Sequence, residues 1–197
     1  MITREKVLKI IEEHVENKNI IKHMVALEAV MGGIFKELKK NQKNEKSLGG
    51  TEEEYKMAGL LHDGDYCDSV LPEKQGIQIT EWVKESGFEL PDAVSHAMAA
   101  HNWHNTGVKP VNLMDWAIFC TDSLTGLIVA SCLVLPTKKL ADLKVESILR
   151  RFKEPSFAKG TRRDEIALCE EKLGIPLDEF VRISLSTMQG IHKEIGL

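Results

Sequence analysis

Aromatic residues are scarce in this chain (6%), and its 4 cysteines, Cys67, Cys120, Cys132 and Cys169, never fall in a CxxC pair. Such scattered thiols suit a reducing compartment better than a disulfide frame or a zinc knuckle, and none is assigned chemistry. A long hydrophobic run is also missing. The longest apolar stretch, Leu127 to Leu135, falls short of the ~20 residues that a bilayer span requires, and the segment from Met1 to Glu5 lacks a signal-peptide core. The expectation is a cytoplasmic protein with no membrane partner. Charge of one sign is not abundant either. A net charge of −4 over 197 residues supplies no field for coating nucleic acid, so no extended nucleic-acid surface is expected and any anionic partner must meet a local patch. Alternating runs long enough to read as strands, internal repeats and low-complexity tracts are absent as well.

What the chain does have is 43% hydrophobic residues set at helical spacing, enough for a single core. Val7, Leu8, Ile10, Ile11 and Val15 form one apolar stripe; Val25, Leu27, Val30, Met31, Ile34, Phe35 and Leu38 form another. The polar run Lys39 to Gly50 reads as a loop, and Thr51-Glu52-Glu53-Glu54 as a capping box that starts the next helix, with Gly64 as its stop. Pro72 opens a helix to about Ser86, Pro91-Asp92 opens one carrying His96 and His101, and Pro110 precedes a long apolar helix halted by Pro136. Helical segments follow over Lys138 to Phe152, Thr161 to Leu173 and Pro176 to Ile195. The reading is all-α: one domain over residues 1–197 with about eight or nine helices, a site-bearing core over roughly 20–135, and C-terminal helices over 138–197 packed on it.

The most informative segment is Gly59-Leu60-Leu61-His62-Asp63-Gly64-Asp65-Tyr66. It places an imidazole and two carboxylates directly after an apolar helical run, where ionisable groups are costly unless paired or bound to a metal. Neighbours on a helix diverge by about 100°, so His62 and Asp63 share one cation only if it sits between them and other segments add ligands. His23 lies upstream on a helical stretch, His96 and His101 lie downstream, and Asp122 interrupts the apolar run that begins at Trp116. Taken alone, His23 could be a hydrogen-bonded core histidine and Asp122 could cap a turn or pair with a lysine.

This ordered set, His23, then His62-Asp63, then His101, then Asp122, resembles the HD superfamily of metal-dependent phosphohydrolases across most of the chain. The segment from Cys120 to Leu127 is similar to its small HDIG-type members, although Gly64-Asp65 follows the pair here. The resemblance implies that His23, His62, Asp63 and Asp122 hold a divalent transition metal. Imidazoles and carboxylates suit manganese, iron, cobalt, nickel or zinc alike. It also implies hydrolysis of a small phosphoester, a nucleotide among the candidates, by a metal-activated water. His101 is then expected to face the site and contact substrate or a second metal. His96 lies about 140° away from it around the helix, so His96 and His104 read as structural or surface groups. Relatives often carry a further histidine where this chain has Gln75, a poor ligand for a transition metal; one ion is therefore favoured over two.

Asp65 either orients the attacking water or caps the turn after Gly64. Between Pro136 and Arg163, Lys and Arg outnumber Asp and Glu three to one. Most of these belong to a solvated face, and Lys138 and Lys139, directly after the helix of Asp122, are the candidates to meet a phosphorylated substrate. Trp103 and Trp116 could stack a base but more often cover a core, and Thr125 and Gly126 could admit a close helix neighbour. Two alternatives stay open: an inactive metal- or nucleotide-binding sensor module, and a di-iron oxygenase-type protein. Oligomeric state is not legible.

Overall fold

The computed structural model describes residues 2–41 and 45–197. Among them are eleven α-helices and no strand: α1 (Arg4–His14), α2 (Lys18–Asn41), α3 (Glu52–Leu61), α4 (Gln78–Glu85), α5 (Asp92–His101), α6 (Trp103–Thr106), α7 (Leu113–Leu133), α8 (Val145–Phe152), α9 (Arg163–Leu168), α10 (Leu177–Gly190) and α11 (His192–Ile195). The fold is all-α.

Two long helices, α2 and α7, organise it. α2 packs against α3, α7 and α10, and α7 against α5 and α9. The α2 stripe is buried throughout, from Val25 to Leu38, as are Val7, Ile10, Ile11 and Val15 of the first stripe, and one contiguous apolar core runs from Ile2 to Ile195. α7 is buried over most of its surface (Ala117, Ile118, Phe119, Leu124, Leu127, Ile128), with Gly126 and Leu133 exposed, which explains why its sequence shows no polar face. With 21 residues it is, by length and composition, long and apolar enough to cross a bilayer, yet most of its apolar stretch is buried inside the protein.

The start signals act as their chemistry dictates. Thr51 Oγ1 accepts from the Glu54 N–H at 3.3 Å while the Glu54 carboxylate accepts from the Thr51 N–H at 2.6 Å. A second such box, Asn112 with Asp115, opens α7. It escapes a sequence reading because Asp stands where Glu or Gln is looked for.

Several boundaries differ from the sequence expectation. α2 continues to Asn41 and a 3₁₀ turn spans Glu45–Leu48, so the expected loop over 39–50 is shorter; 42–44 lie outside the described residues. The helix expected from Pro72 breaks into a 3₁₀ turn (Pro72–Lys74) and α4, because Gly76 adopts φ +87 between them. The expected Lys138–Phe152 segment is a 3₁₀ turn (Leu140–Asp142) and α8, α9 ends in a π turn (Cys169–Leu173), and the last helix breaks at Ile191.

Two glycines place the site. At Gly59 a Cβ would lie 2.8 Å from the Leu27 carbonyl oxygen; its absence lets α3 close on α2. At Gly76 a Cβ would lie 2.4 Å from the Met98 oxygen and 3.2 Å from His101 Cε1, so the Pro72–Gly76 segment can seat against the end of α5. Asn102 secures that seat by donating to the Pro72 and Gln75 carbonyls at 3.1 and 3.3 Å.

Candidate metal centre

Side chains from four helical segments converge beside α2. His23 comes from its first turns, His62 and Asp63 from the end of α3, His101 from the last turn of α5 and Asp122 from the middle of α7. His23 Nε2 lies 3.0 Å from Asp122 Oδ1, 3.1 Å from His62 Nε2 and 3.8 Å from Asp63 Oδ2. His62 Nε2 lies 3.4 Å from Asp63 Oδ2 and 3.8 Å from Asp122 Oδ1. On the far side, His101 Nε2 lies 3.5 Å from Asp63 Oδ1. Asp63 thus turns one oxygen toward the His23 and His62 nitrogens and the other toward His101.

Hydrogen bonds behind the cluster assign the imidazole protons. His62 Nδ1 is 2.9 Å from the Gly59 carbonyl and His101 Nδ1 contacts the Met98 carbonyl. A carbonyl only accepts, so both Nδ1 atoms carry hydrogen. His23 Nδ1 sits 3.0 Å from Thr125 Oγ1, whose own hydrogen is directed to the Asp122 carbonyl at 2.8 Å. Thr125 therefore accepts from His23 Nδ1–H. With Nδ1 engaged, each ring turns its Nε2 inward, as a second N–H toward Asp122 or Asp63 in the metal-free chain or as a lone pair toward a cation, and backing hydrogen bonds of this kind orient metal-bound imidazoles.

Electrostatics keep the two carboxylates ionised. Burial opposes the charge on Asp122, but contact with His23 outweighs it and brings the carboxyl down to about 2. Burial likewise opposes Asp63, and His62 and His101 hold it well below the usual carboxylate range. His62 and His101 are buried; Asp122, Asp63 and His23 are 17, 19 and 22% exposed. The centre is thus open along one side.

Ligand atoms separated by 3.0–3.8 Å are those expected around an ion held by bonds of ~2.0–2.2 Å. Two groups could hold a metal ion, His23 with His62 and Asp122, and His62 with Asp63 and His101, the ligand atoms of each lying within 4.8 Å of one another. The four side chains expected to converge, together with His101, are brought together.

Other expectations are corrected. Of the two roles open to Asp65, the hydrogen bonds show the cap. The residue is fully buried and its carboxylate accepts from the Gly76 N–H at 2.8 and 3.0 Å and the Ile79 N–H at 2.9 Å, which makes it a cap for the start of α4. Lys138 and Lys139 lie past the C-terminal end of α7, and Asp122 is eleven residues before Leu133, about 16 Å back along the helix. Gly126 admits no close neighbour, since a Cβ there would meet nothing.

His96 and His104 behave as expected and lie away from the centre, at 3.0 Å from Asp115 and 2.9 Å from Glu165. Trp116 covers the core edge, packed on Phe119 at 5.7 Å, and Trp103 lies at 6.1 Å from the same ring. Gln75 lines an outer groove with Tyr66 and Cys67. Sequence reasoning missed Thr125 as the partner of His23, and also a basic turn, since Lys159 and Arg162 share a cleft with His23 and Asp122. Only the general basic excess after Pro136 hinted at the latter. No protein-family model, curated protein or solved structure matches the chain.

Proposed function

We propose that the protein is a metal-dependent phosphohydrolase acting on a small phosphoester, with one divalent transition metal held by His23, His62, Asp63 and Asp122. The observation that carries this reading is the convergence of Nε2 lone pairs and carboxylates at 3.0–3.8 Å, each imidazole backed by a hydrogen-bond acceptor. Two nitrogen lone pairs 3.1 Å apart repel unless positive charge lies between them, and two ionised carboxylates beside them add attraction for that charge. Mixed imidazole and carboxylate donors favour manganese, iron, cobalt, nickel or zinc over magnesium.

When bound, such an ion acidifies water and neutralises charge on a phosphoryl oxygen. The protein's part is to fix the donors, through Gly59, Thr125 and Met98, and to leave one side open to solvent. Water oxygen bonds to phosphorus as the ester P–O bond breaks, and the departing alkoxide takes up the proton that the attacking water gives up. His101, with Nε2 turned toward Asp63 Oδ1, is placed to contact the substrate or that water.

The His62, Asp63 and His101 group supports a second reading with two ions, ~3.5–4 Å apart in such sites. Metal analysis of the purified protein gives the stoichiometry. Screening manganese-, nickel- and iron-loaded protein against nucleotides and phosphomonoesters then tests the activity; turnover that needs the metal supports the proposal. Bound metal without hydrolysis would favour a sensor module, and oxygen consumption by an iron pair would favour oxygenase chemistry.

A further inference from the structure

The turn Ala158–Arg162, between α8 and α9, lines a cleft of about 370 Å³ together with His23, Asp122, Ser123 and Gly126. It is held rigidly. The Arg163 guanidinium donates to five backbone carbonyls, those of Arg151, Phe152, Glu154, Phe157 and Thr161, at 2.6–3.3 Å. Ala158 sits at φ +46, a conformation that a non-glycine residue keeps only when its surroundings impose it. The Arg162 N–H reaches Ser123 Oγ, one residue past Asp122, at 3.4 Å.

The two cations of this turn differ in their ties. Arg162 Nη1 lies 3.0 Å from Glu165, which is 3% exposed and is also met by His104 at 2.9 Å. A buried carboxylate thus fixes the base of the guanidinium while 42% of the side chain stays exposed. Lys159 makes no ion pair among the described residues and is exposed in the same cleft.

Charge balance says what these cations are for. A divalent ion with two carboxylates and neutral imidazoles sums to zero, so the centre alone offers no net attraction to a phosphate dianion. From this, and resting on the phosphohydrolase reading above, we infer that Lys159 and Arg162 form the anion-binding half of the site and select substrates with a terminal, dianionic phosphoryl group. Arg162 presents a planar fork to phosphate oxygens and Lys159 a point charge.

The test uses the full chain loaded with manganese and inorganic phosphate as the probe, read by calorimetric titration at low ionic strength. Lys159→Gln and Arg162→Gln are each expected to weaken phosphate binding about tenfold, the loss typical of one charge-assisted contact. The double substitution Lys138→Gln/Lys139→Gln should leave it unchanged, and manganese affinity should stay the same in all three. Should Arg162→Gln unfold by releasing Glu165, the exposed and unpaired Lys159 decides alone. Unchanged phosphate affinity in Lys159→Gln, or a wild-type chain that binds manganese but no phosphate, overturns this inference and leaves the metal centre standing. A chain that takes up neither manganese nor nickel overturns the reading beneath it as well.

Discussion

His23 Nε2 and His62 Nε2 face each other at 3.1 Å although both rings are protonated on their Nδ1 side, one toward Thr125 and the other toward the Gly59 carbonyl. Two lone pairs at that distance are a defect in an apolar helical core unless something positive is shared between them. A proton held between the rings and the Asp122 and Asp63 carboxylates relieves that repulsion in the metal-free chain, and a bound cation takes the place of that proton.

Metal binding should consequently stabilise the fold. Free metal at a hundred times its dissociation constant contributes about 2.7 kcal/mol, and a chain of this size gains roughly 2–4 °C per kcal/mol. Thermal unfolding followed with and without manganese or nickel should show Tm raised by about 5–10 °C, reversed by a chelator. His62→Ala should abolish the rise, and a rise of equal size in that variant would show that the ion binds elsewhere.

Asp65 serves the fold rather than the chemistry, because three backbone N–H contacts occupy its buried carboxylate. Asp65→Asn replaces one acceptor oxygen by a donor facing those N–H groups, which costs about 1–3 kcal/mol. Denaturant unfolding should register that loss while metal content per folded chain stays the same. A fall in turnover with no loss of stability would return Asp65 to the reaction.

The thiols supply a check on the core that is independent of function. Cys120, Cys132 and Cys169 are buried and Cys67 is partly exposed. Burial pushes the Cys169 thiol up to about 12 and raises Cys132 too, so the reactive thiolate is scarce at pH 8. Alkylation of the native protein should label Cys67 quickly and the others only on denaturation, and mass spectrometry of the labelled peptides distinguishes them.

How far the sequence reaches follows from the range of each signal. The buried faces of α1 and α2 were legible because period 3.6 is local, and His62, Asp63 and Asp122 were legible because ionisable residues stand out in apolar runs. Asp65 was ambiguous because its partners are Gly76 and, in the first turn of α4, Ile79, and the path of the chain into that helix depends on Gly76 and Asn102. Lys138 and Lys139 looked near Asp122 in sequence, but a helix carries its ends apart. Lys159 and Arg162 are more distant in sequence, and only the packing of α9 on α7 brings their turn back to the centre. No periodicity announces which loop folds back.

Gly59 tests whether closeness of α2 and α3 makes the centre. Alanine there would set a Cβ 2.8 Å from the Leu27 oxygen, and backbone cannot yield as a side chain tip can. α3 must move off α2, at a cost of about 1–3 kcal/mol in stability, taking His62 away from His23. Metal affinity should fall with stability in Gly59→Ala, measured by titration at a temperature where the variant is folded.

Thr125 separates positioning from ligation. Its hydroxyl touches no donor atom of the centre except through His23 Nδ1, and its own hydrogen is engaged by the Asp122 carbonyl. Thr125→Val keeps the shape and removes the acceptor, so His23 loses the bond that fixes its ring and its proton. Outer partners of this kind are worth about 10–100-fold in metal affinity. Calorimetric titration with manganese should show a drop of that order in Thr125→Val and near-complete recovery in Thr125→Ser, which restores the oxygen. A Thr125→Val protein that binds metal as tightly as wild type would mean that His23 is oriented by packing alone, and the assignment of its Nε2 lone pair to the centre would lose its support.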